Sequence, residues 1–80
     1  MTETLDAPIA AIADAVNAFS DLGEFYRASR EAESRVTADM RAARQKRVLD
    51  LKGQGLTWRQ IGELLGGVTP QRAEQISRGV

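Results

Sequence analysis

The sequence contains neither cysteine nor histidine, and each absence removes a class of chemistry. Without cysteine the chain has no disulfides and no thiolate metal ligands. Without histidine it lacks the commonest metal ligand and general base. No dense group of Asp and Glu has the spacing of a carboxylate metal site. We therefore expect no enzymatic activity, no bound metal and no cofactor.

Long apolar runs are also missing. The longest apolar stretches are a few residues, far below the roughly 20 that a membrane-spanning helix needs. The first residues, Met1 to Asp6, are acidic and lack the basic start of a secretory signal. A chain of 80 residues can bury only a limited core, which often depends on oligomerisation or a partner. We expect one small cytoplasmic domain with no membrane partner.

Charge is unevenly distributed although the formal net charge is zero. Residues 1–40 carry eight acidic and three basic side chains, a net charge of −5. Residues 41–80 carry eight basic and three acidic side chains, a net charge of +5. The basic half has the sign that binding to a phosphate backbone requires.

Residues 1–22 have the pattern of an amphipathic helix. Asp6 is the expected N-cap, and Pro8 would lie in the first turn, where a proline is tolerated. Apolar side chains recur at helical spacing, which is also the spacing of a coiled coil. This stripe either packs within the domain or forms a dimer or partner contact. Its members are Leu5, Ile9, Ile12, Val16 and Phe19.

Residues 23–53 predict a second, long helix that follows a break at Asp21-Leu22-Gly23. Thirty residues exceed the usual helix length, so a bend or break near residues 34–38 is one expectation. Basic residues crowd the stretch from Arg41 to Arg47, which is either a solvated face or a surface that lies near phosphates. No segment has the pattern of a strand, so the predicted fold class is all-α.

Residues 54–80 predict two short helices joined by a glycine turn. Thr57 and Gln60 have the spacing of a capping box, and Thr69 precedes a proline at the first position of the last helix. Gly66 and Gly67 can adopt the positive φ angles of a tight turn. Gly62 predicts a close approach of the next helix. The expected inward side chains are Ile61, Leu64 and Leu65 before the turn, Val68 within it, and Ala73 and Ile76 after it, with Trp58 at the edge.

This arrangement resembles the helix-turn-helix family, as found in small bacterial or phage regulators and in the promoter-reading region of sigma factors. The resemblance covers about residues 41–78 and rests on Gly62, on Gly66 followed by Val68, and on the inward Ala73 and Ile76. It implies a tri-helical core that binds DNA. A second turn glycine makes the turn one residue longer than usual, which is expected to rotate or shift the recognition helix.

The resemblance also implies which residues contact double-stranded DNA, because the last helix would enter the major groove. Gln71 and Gln75 are suited to adenine and Arg72 to guanine, through paired hydrogen bonds. Phosphate contacts are expected from residues at helix starts and on the basic helix. These are Thr57, Thr69, Arg59, Arg44 and Arg47.

The leading hypothesis is a sequence-specific transcriptional regulator that acts as a homodimer. The dimer contact would be the stripe of Ile9, Ile12, Val16 and Phe19. The alternative is a protein-interaction module whose acidic half binds RNA polymerase, a sigma factor or another regulator. In a third possibility the acidic half masks the basic half until a partner removes it.

Overall fold

The structure, a computed structural model, describes residues 3–80, which form four α-helices and no strand. The helices are α1 (Glu3–Asn17), α2 (Leu22–Gly53), α3 (Trp58–Leu64) and α4 (Pro70–Ser77). The predicted all-α fold class is confirmed. No helix among these residues is long and apolar enough to cross a membrane.

The first helix begins earlier than the sequence predicted. Asp6 is not the N-cap, because α1 is already helical at Glu3 and contains Pro8 as an internal residue. A proline has a fixed φ near −65°, which suits a helix, so its missing N–H and its ring are the only local penalties. The earlier start includes Leu5, the first member of the apolar stripe, in the helix.

The second helix is a single unbroken element through residues 34–38, where a bend was one expectation. α1 ends at Asn17, and Leu22 and Gly23 belong to α2 rather than to a break. Asp21 precedes α2, and its Oδ2 accepts a hydrogen bond from the N–H of Glu24 at 2.9 Å. That bond satisfies a free donor in the first turn of α2, which explains why the helix begins here.

The chain divides into two compact units, and the boundary falls inside α2. The N-terminal unit is Met1–Val36, and the C-terminal unit is Thr37–Val80. No described side chain of the N-terminal unit is fully buried. The buried core belongs to the C-terminal unit, which is also the unit that carries the predicted DNA-contacting residues.

The core of the C-terminal unit receives side chains from three helices. Val48 comes from α2, Ile61 from α3, and Ala73 and Ile76 from α4. Half-buried apolar side chains close its edges, namely Leu51, Leu56, Trp58 and Val68. Each helix contributes only one or two buried residues, so the core forms only when the three helices pack together.

Two leucines that were predicted to face this core do not. Leu64 is 66% exposed and Leu65 is 39% exposed. The chain folds back over α3 after these residues, and the backbone of Val68 lies beside Gly62. Val68 therefore fills the inward space at this level, and the two leucines are left outside.

The turn between α3 and α4 is hydrogen-bonded to α3 itself. The carbonyl oxygen of Gly62 accepts hydrogen bonds from the N–H groups of Gly67 and Val68, at 3.1 and 3.0 Å. A Cβ atom on Gly62 would collide with the carbonyl oxygen of Val68. The predicted close approach at Gly62 therefore exists, but its partner is the backbone of the turn rather than the next helix.

We expect Gly62→Ala to destabilise the fold, although alanine is the better helix former. Helix propensity alone would favour alanine by up to about 1 kcal/mol. The collision with the Val68 carbonyl forces the turn to move, which typically costs about 1–3 kcal/mol. Urea denaturation followed by far-UV circular dichroism measures the net loss.

Gly53→Ala is the matched control, because Gly53 is helical and a Cβ atom there has no neighbour within 4 Å. This variant should be as stable as the parent or slightly more stable. A Gly62→Ala chain that is equally stabilised would contradict the close approach.

Candidate nucleic-acid interface

The start of α3 is fixed by the predicted capping box. Thr57 Oγ1 accepts a hydrogen bond from the N–H of Gln60 at 3.1 Å, and Gln60 Oε1 accepts one from the N–H of Thr57 at 2.9 Å. The N–H of Thr57 is therefore not free to donate a hydrogen bond to a phosphate, because Gln60 Oε1 already accepts it. The hydroxyl hydrogen of Thr57 remains as a possible donor.

The start of α4 is fixed in a similar way. Thr69 Oγ1 accepts a hydrogen bond from the N–H of Arg72 at 3.1 Å, and Pro70 occupies the first helical position. The N–H of Ala73 is bonded to the carbonyl oxygen of Thr69 at 2.9 Å. The N–H of Gln71 has no acceptor among residues 3–80. It is thus the backbone donor in this turn that remains available to a ligand.

The turn between α3 and α4, which has one glycine more than usual, is fully hydrogen-bonded at both glycines. Gly66 and Gly67 both have positive φ angles, 92° and 101°, which residues other than glycine rarely adopt. The N–H of Gly66 donates to Glu63 at 3.0 Å, while that of Gly67 donates to Gly62. The additional residue is therefore accommodated by a second left-handed position rather than by a loose loop.

Two of the three side chains predicted to contact bases lie on the outer side of α4, and the third lies at its flank. Gln71 and Gln75 are exposed, and Arg72 is half-buried. Ala73 and Ile76 occupy the inner side of the same helix, so the helix is divided between core and solvent. The guanidinium of Arg72 makes no ion pair with any residue that the structure describes.

Two other arginines near these helix ends are paired. Arg59 Nε lies 3.5 Å from Glu63 Oε1, and one guanidinium nitrogen of Arg78 lies 3.1 Å from Glu74 Oε2. The side chains of Arg59, Glu63 and Arg78 are exposed and that of Glu74 is half-buried, and pairs at the surface contribute only about 0–1 kcal/mol. An incoming phosphate can therefore compete for Arg59 at little cost.

Arg44 and Arg47 lie elsewhere on the C-terminal unit, on α2. Together with Ala43, Leu65 and Ile76 they line a shallow groove of about 220 Å³. The sequence did not predict this groove, because it depends on how α2 packs against the end of α3 and against α4. Leu65 follows the end of α3 and is left outside the core, where it lines this groove.

The net charge of the C-terminal unit is positive. Residues 37–80 carry eight basic and four acidic side chains, a net charge of +4. Lys52 is engaged locally, because its Nζ donates to the carbonyl oxygen of Leu56 at 3.2 Å and lies 4.6 Å from the centre of the Trp58 ring. The remaining excess of positive charge attracts phosphates over a distance of about 10 Å at ordinary ionic strength.

The predicted dimer stripe lies in the N-terminal unit and faces solvent. Ile9 is 60% exposed, Ile12 41% and Phe19 46%, while Val16 is half-buried. Leu5 continues the stripe and is also exposed.

No protein-family model matches the chain, and no curated protein or solved structure matches it significantly. Among residues 3–80, no group of three or more acidic side chains is placed to hold a metal ion. The function is therefore inferred from the geometry of the helices and their outer side chains.

Proposed function

We propose that this chain is a small sequence-specific DNA-binding transcriptional regulator that uses α3 and α4 as a helix-turn-helix. In this proposal α4 is the recognition helix, and Gln71, Arg72 and Gln75 contact base edges. Thr57, Thr69 and Arg59 contact the flanking phosphates. Such a regulator would act in the cytoplasm.

The observation that carries the proposal is the division of α4 between core and solvent. Its inner residues are completely or almost completely buried. Gln71 and a half-buried Arg72, which has no ion pair with a described residue, lie in its first turn, and Gln75 is exposed one turn later. An exposed helix start with these side chains has the donors that base edges in the major groove require. The positive charge of the surrounding unit supports the approach of DNA.

Binding to duplex DNA at varied salt concentration tests the proposal. We expect fluorescence anisotropy with random duplex to give a logarithmic affinity that falls linearly with the logarithm of salt, with a slope of about −0.9 for each phosphate that a Lys or Arg neutralises. Selection from a random DNA pool should then recover a preferred site with two symmetric halves. Absence of any binding at low salt would rule out a DNA-binding function.

Arg72→Ala should weaken binding to the selected site by about 1–3 kcal/mol, because it removes a bidentate contact to a base. Arg78→Ala is the matched control, since Arg78 lies at the other end of α4 and is paired with Glu74. Removal of Arg78 should change affinity only slightly. Equal losses in both variants would mean that Arg72 supplies charge rather than specificity.

A homodimer is part of the proposal because α4 is only eight residues long, about two turns. Two such helices on one site about one DNA turn apart would compensate for the weak affinity of each. The exposed stripe of Ile9, Ile12, Val16 and Phe19 supports this role, because dimerisation would remove it from water.

Ile9→Asp should disrupt self-association, because it places a charge in an apolar contact. We expect the dimer dissociation constant to rise at least about tenfold, which is about 1.4 kcal/mol, and affinity for the selected DNA site to fall with it. Sedimentation equilibrium and anisotropy measure the two effects.

The control for this variant is Ala10→Asp, which adds the same charge to the same exposed helix beside the stripe. It should leave the dimer intact. If Ala10→Asp and Ile9→Asp behave alike, net charge rather than the stripe governs self-association.

The same stripe favours a second candidate function, a protein-interaction module. In that role the acidic, amphipathic α1 would bind RNA polymerase, a sigma factor or another regulator instead of a second copy. A chain that remains monomeric, ignores DNA at low salt and binds one of these proteins through Ile9 would support this candidate over the first.

A further inference from the structure

The groove on the C-terminal unit combines an apolar floor with a basic rim. Its lining residues are Ala43, Leu65 and Ile76, here called the floor, and Arg44 and Arg47, here called the rim. The lining atoms are almost entirely apolar, so the two arginines contribute their carbon chains to it. Leu65 is left partly exposed here although it is a large apolar residue. Water in contact with such a floor is unfavourable, so an apolar occupant would stabilise the groove.

The rim arginines differ from Arg59 and Arg78, and resemble Arg72, in having no ion pair among the residues that the structure describes. Arg59 and Arg78 each lie within 4 Å of a glutamate. Neither Arg44 nor Arg47 makes an ion pair or a side-chain hydrogen bond with any residue from 3 to 80. Two of the residues that line this apolar groove thus carry positive charges that no described carboxylate neutralises, which favours an apolar occupant with an acidic residue at its edge.

The size of the groove indicates a protein side-chain occupant. Its volume of about 220 Å³ is below the range of about 300–1,000 Å³ that is typical of small-molecule sites. An amphipathic helix binds such shallow grooves by inserting apolar anchors at positions i, i+3 and i+7. Ile9, Ile12 and Val16 have this spacing on one face of α1.

The charge of α1 complements that of the groove. The first 26 residues contain no Lys or Arg, whereas α1 carries Glu3, Asp6 and Asp14. Asp6 lies three residues before Ile9, so it follows the edge of the apolar stripe. Asp14 is two residues from both Ile12 and Val16, so it lies on the opposite side of α1 from the stripe. Asp6 is therefore the carboxylate beside the stripe, and it forms no ion pair within the described part of the chain. Over residues 3–80, the stripe of α1 thus has a carboxylate without a basic partner, and the groove has two arginines without an acidic partner.

We propose that α1 of one copy docks in the groove of a second copy, with Ile9, Ile12 and Val16 over Ala43, Leu65 and Ile76. Arg44 and Arg47 then lie near Asp6, at the edge of the docked stripe. This inference rests on the homodimer in the proposed function and identifies the surface that α1 contacts. It assigns Arg44 and Arg47 to the dimer rather than to DNA.

Reciprocal docking explains how so small a groove can hold a dimer. In a two-fold symmetric pair, α1 of each copy occupies the groove of the other, so the contact is made twice. The dimer should weaken as salt is raised, because part of the attraction is between solvent-exposed charges.

Disulfide trapping in the full chain tests this arrangement, because the natural sequence has no cysteine. One chain carries Ile12→Cys, and a second carries Ala43→Cys. After mixing and mild oxidation, we expect a mixed disulfide-linked dimer as the main product. Replacement of Ile12→Cys by Ala10→Cys, off the stripe, should reduce the yield severalfold.

Two other products would overturn the proposal. Dimers linked through Ile12→Cys on both copies would show that the stripes pair with each other. A chain that carries both substitutions and closes on itself as a monomer would show that α1 docks within one copy. Absence of any crosslink above the Ala10→Cys yield would also exclude the groove as the partner surface.

Charge reversal at the rim provides an independent measurement. Arg44→Glu with Arg47→Glu should raise the dimer dissociation constant at least about tenfold in sedimentation equilibrium. Arg41→Glu with Lys46→Glu is the matched control, since both residues are exposed on α2 and neither lines the groove. Equal effects of the two pairs would overturn the role of the rim.

The disulfide-trapping experiment and the DNA-binding experiment test the two proposals separately. A chain that forms the mixed disulfide but binds no DNA keeps the groove assignment and loses the proposed regulator function. A chain that binds its selected DNA site but forms no mixed disulfide keeps the regulator function and loses the groove assignment.

Discussion

The contact between Gly62 and the turn after α3 determines where the last helix lies. One carbonyl oxygen receives two N–H groups of the turn, and the absence of a side chain at Gly62 allows the Val68 carbonyl to approach. Only with the turn in this position can Thr69 cap α4 and Ala73 and Ile76 reach the core. The direction in which the outer face of α4 points, on which the proposed function rests, therefore depends on the backbone contact between Gly62 and the turn.

Neither short helix can account for its own stability. α3 has seven residues and α4 has eight, whereas isolated helices shorter than about 12–15 residues are marginal in water. Each compensates with a threonine cap, which typically contributes about 1 kcal/mol. The remaining stability comes from a core of four buried side chains to which α2 contributes Val48. Folding of the two helices is consequently coupled to their packing on α2.

The features that sequence analysis predicted correctly are those fixed by neighbouring residues. The Thr57 capping box, the Thr69 cap with Pro70 and the left-handed glycines all depend on hydrogen bonds that span five residues or fewer. Leu64 and Leu65 were misplaced because helical spacing does not reveal that Val68 fills the inward space. The groove beside Arg44 was missed for a related reason, since its walls come from distant parts of the chain. The DNA contacts of Gln71, Arg72 and Gln75 stay a prediction, because a polar residue on an exposed helix has the same local pattern whether it meets bases or water.

Trp58 is the single tryptophan of the chain, and it is the first residue of α3, after the short connection from α2. Its ring packs at the edge of the core and is covered on one side by the ammonium group of Lys52. All indole fluorescence therefore originates from one junction. A cation over an indole ring perturbs its excited state, so the emission of this protein is sensitive to the position of a lysine as well as to exposure to water. The fold thus contains an intrinsic optical reporter of the α2–α3 junction, and no label has to be introduced to follow it.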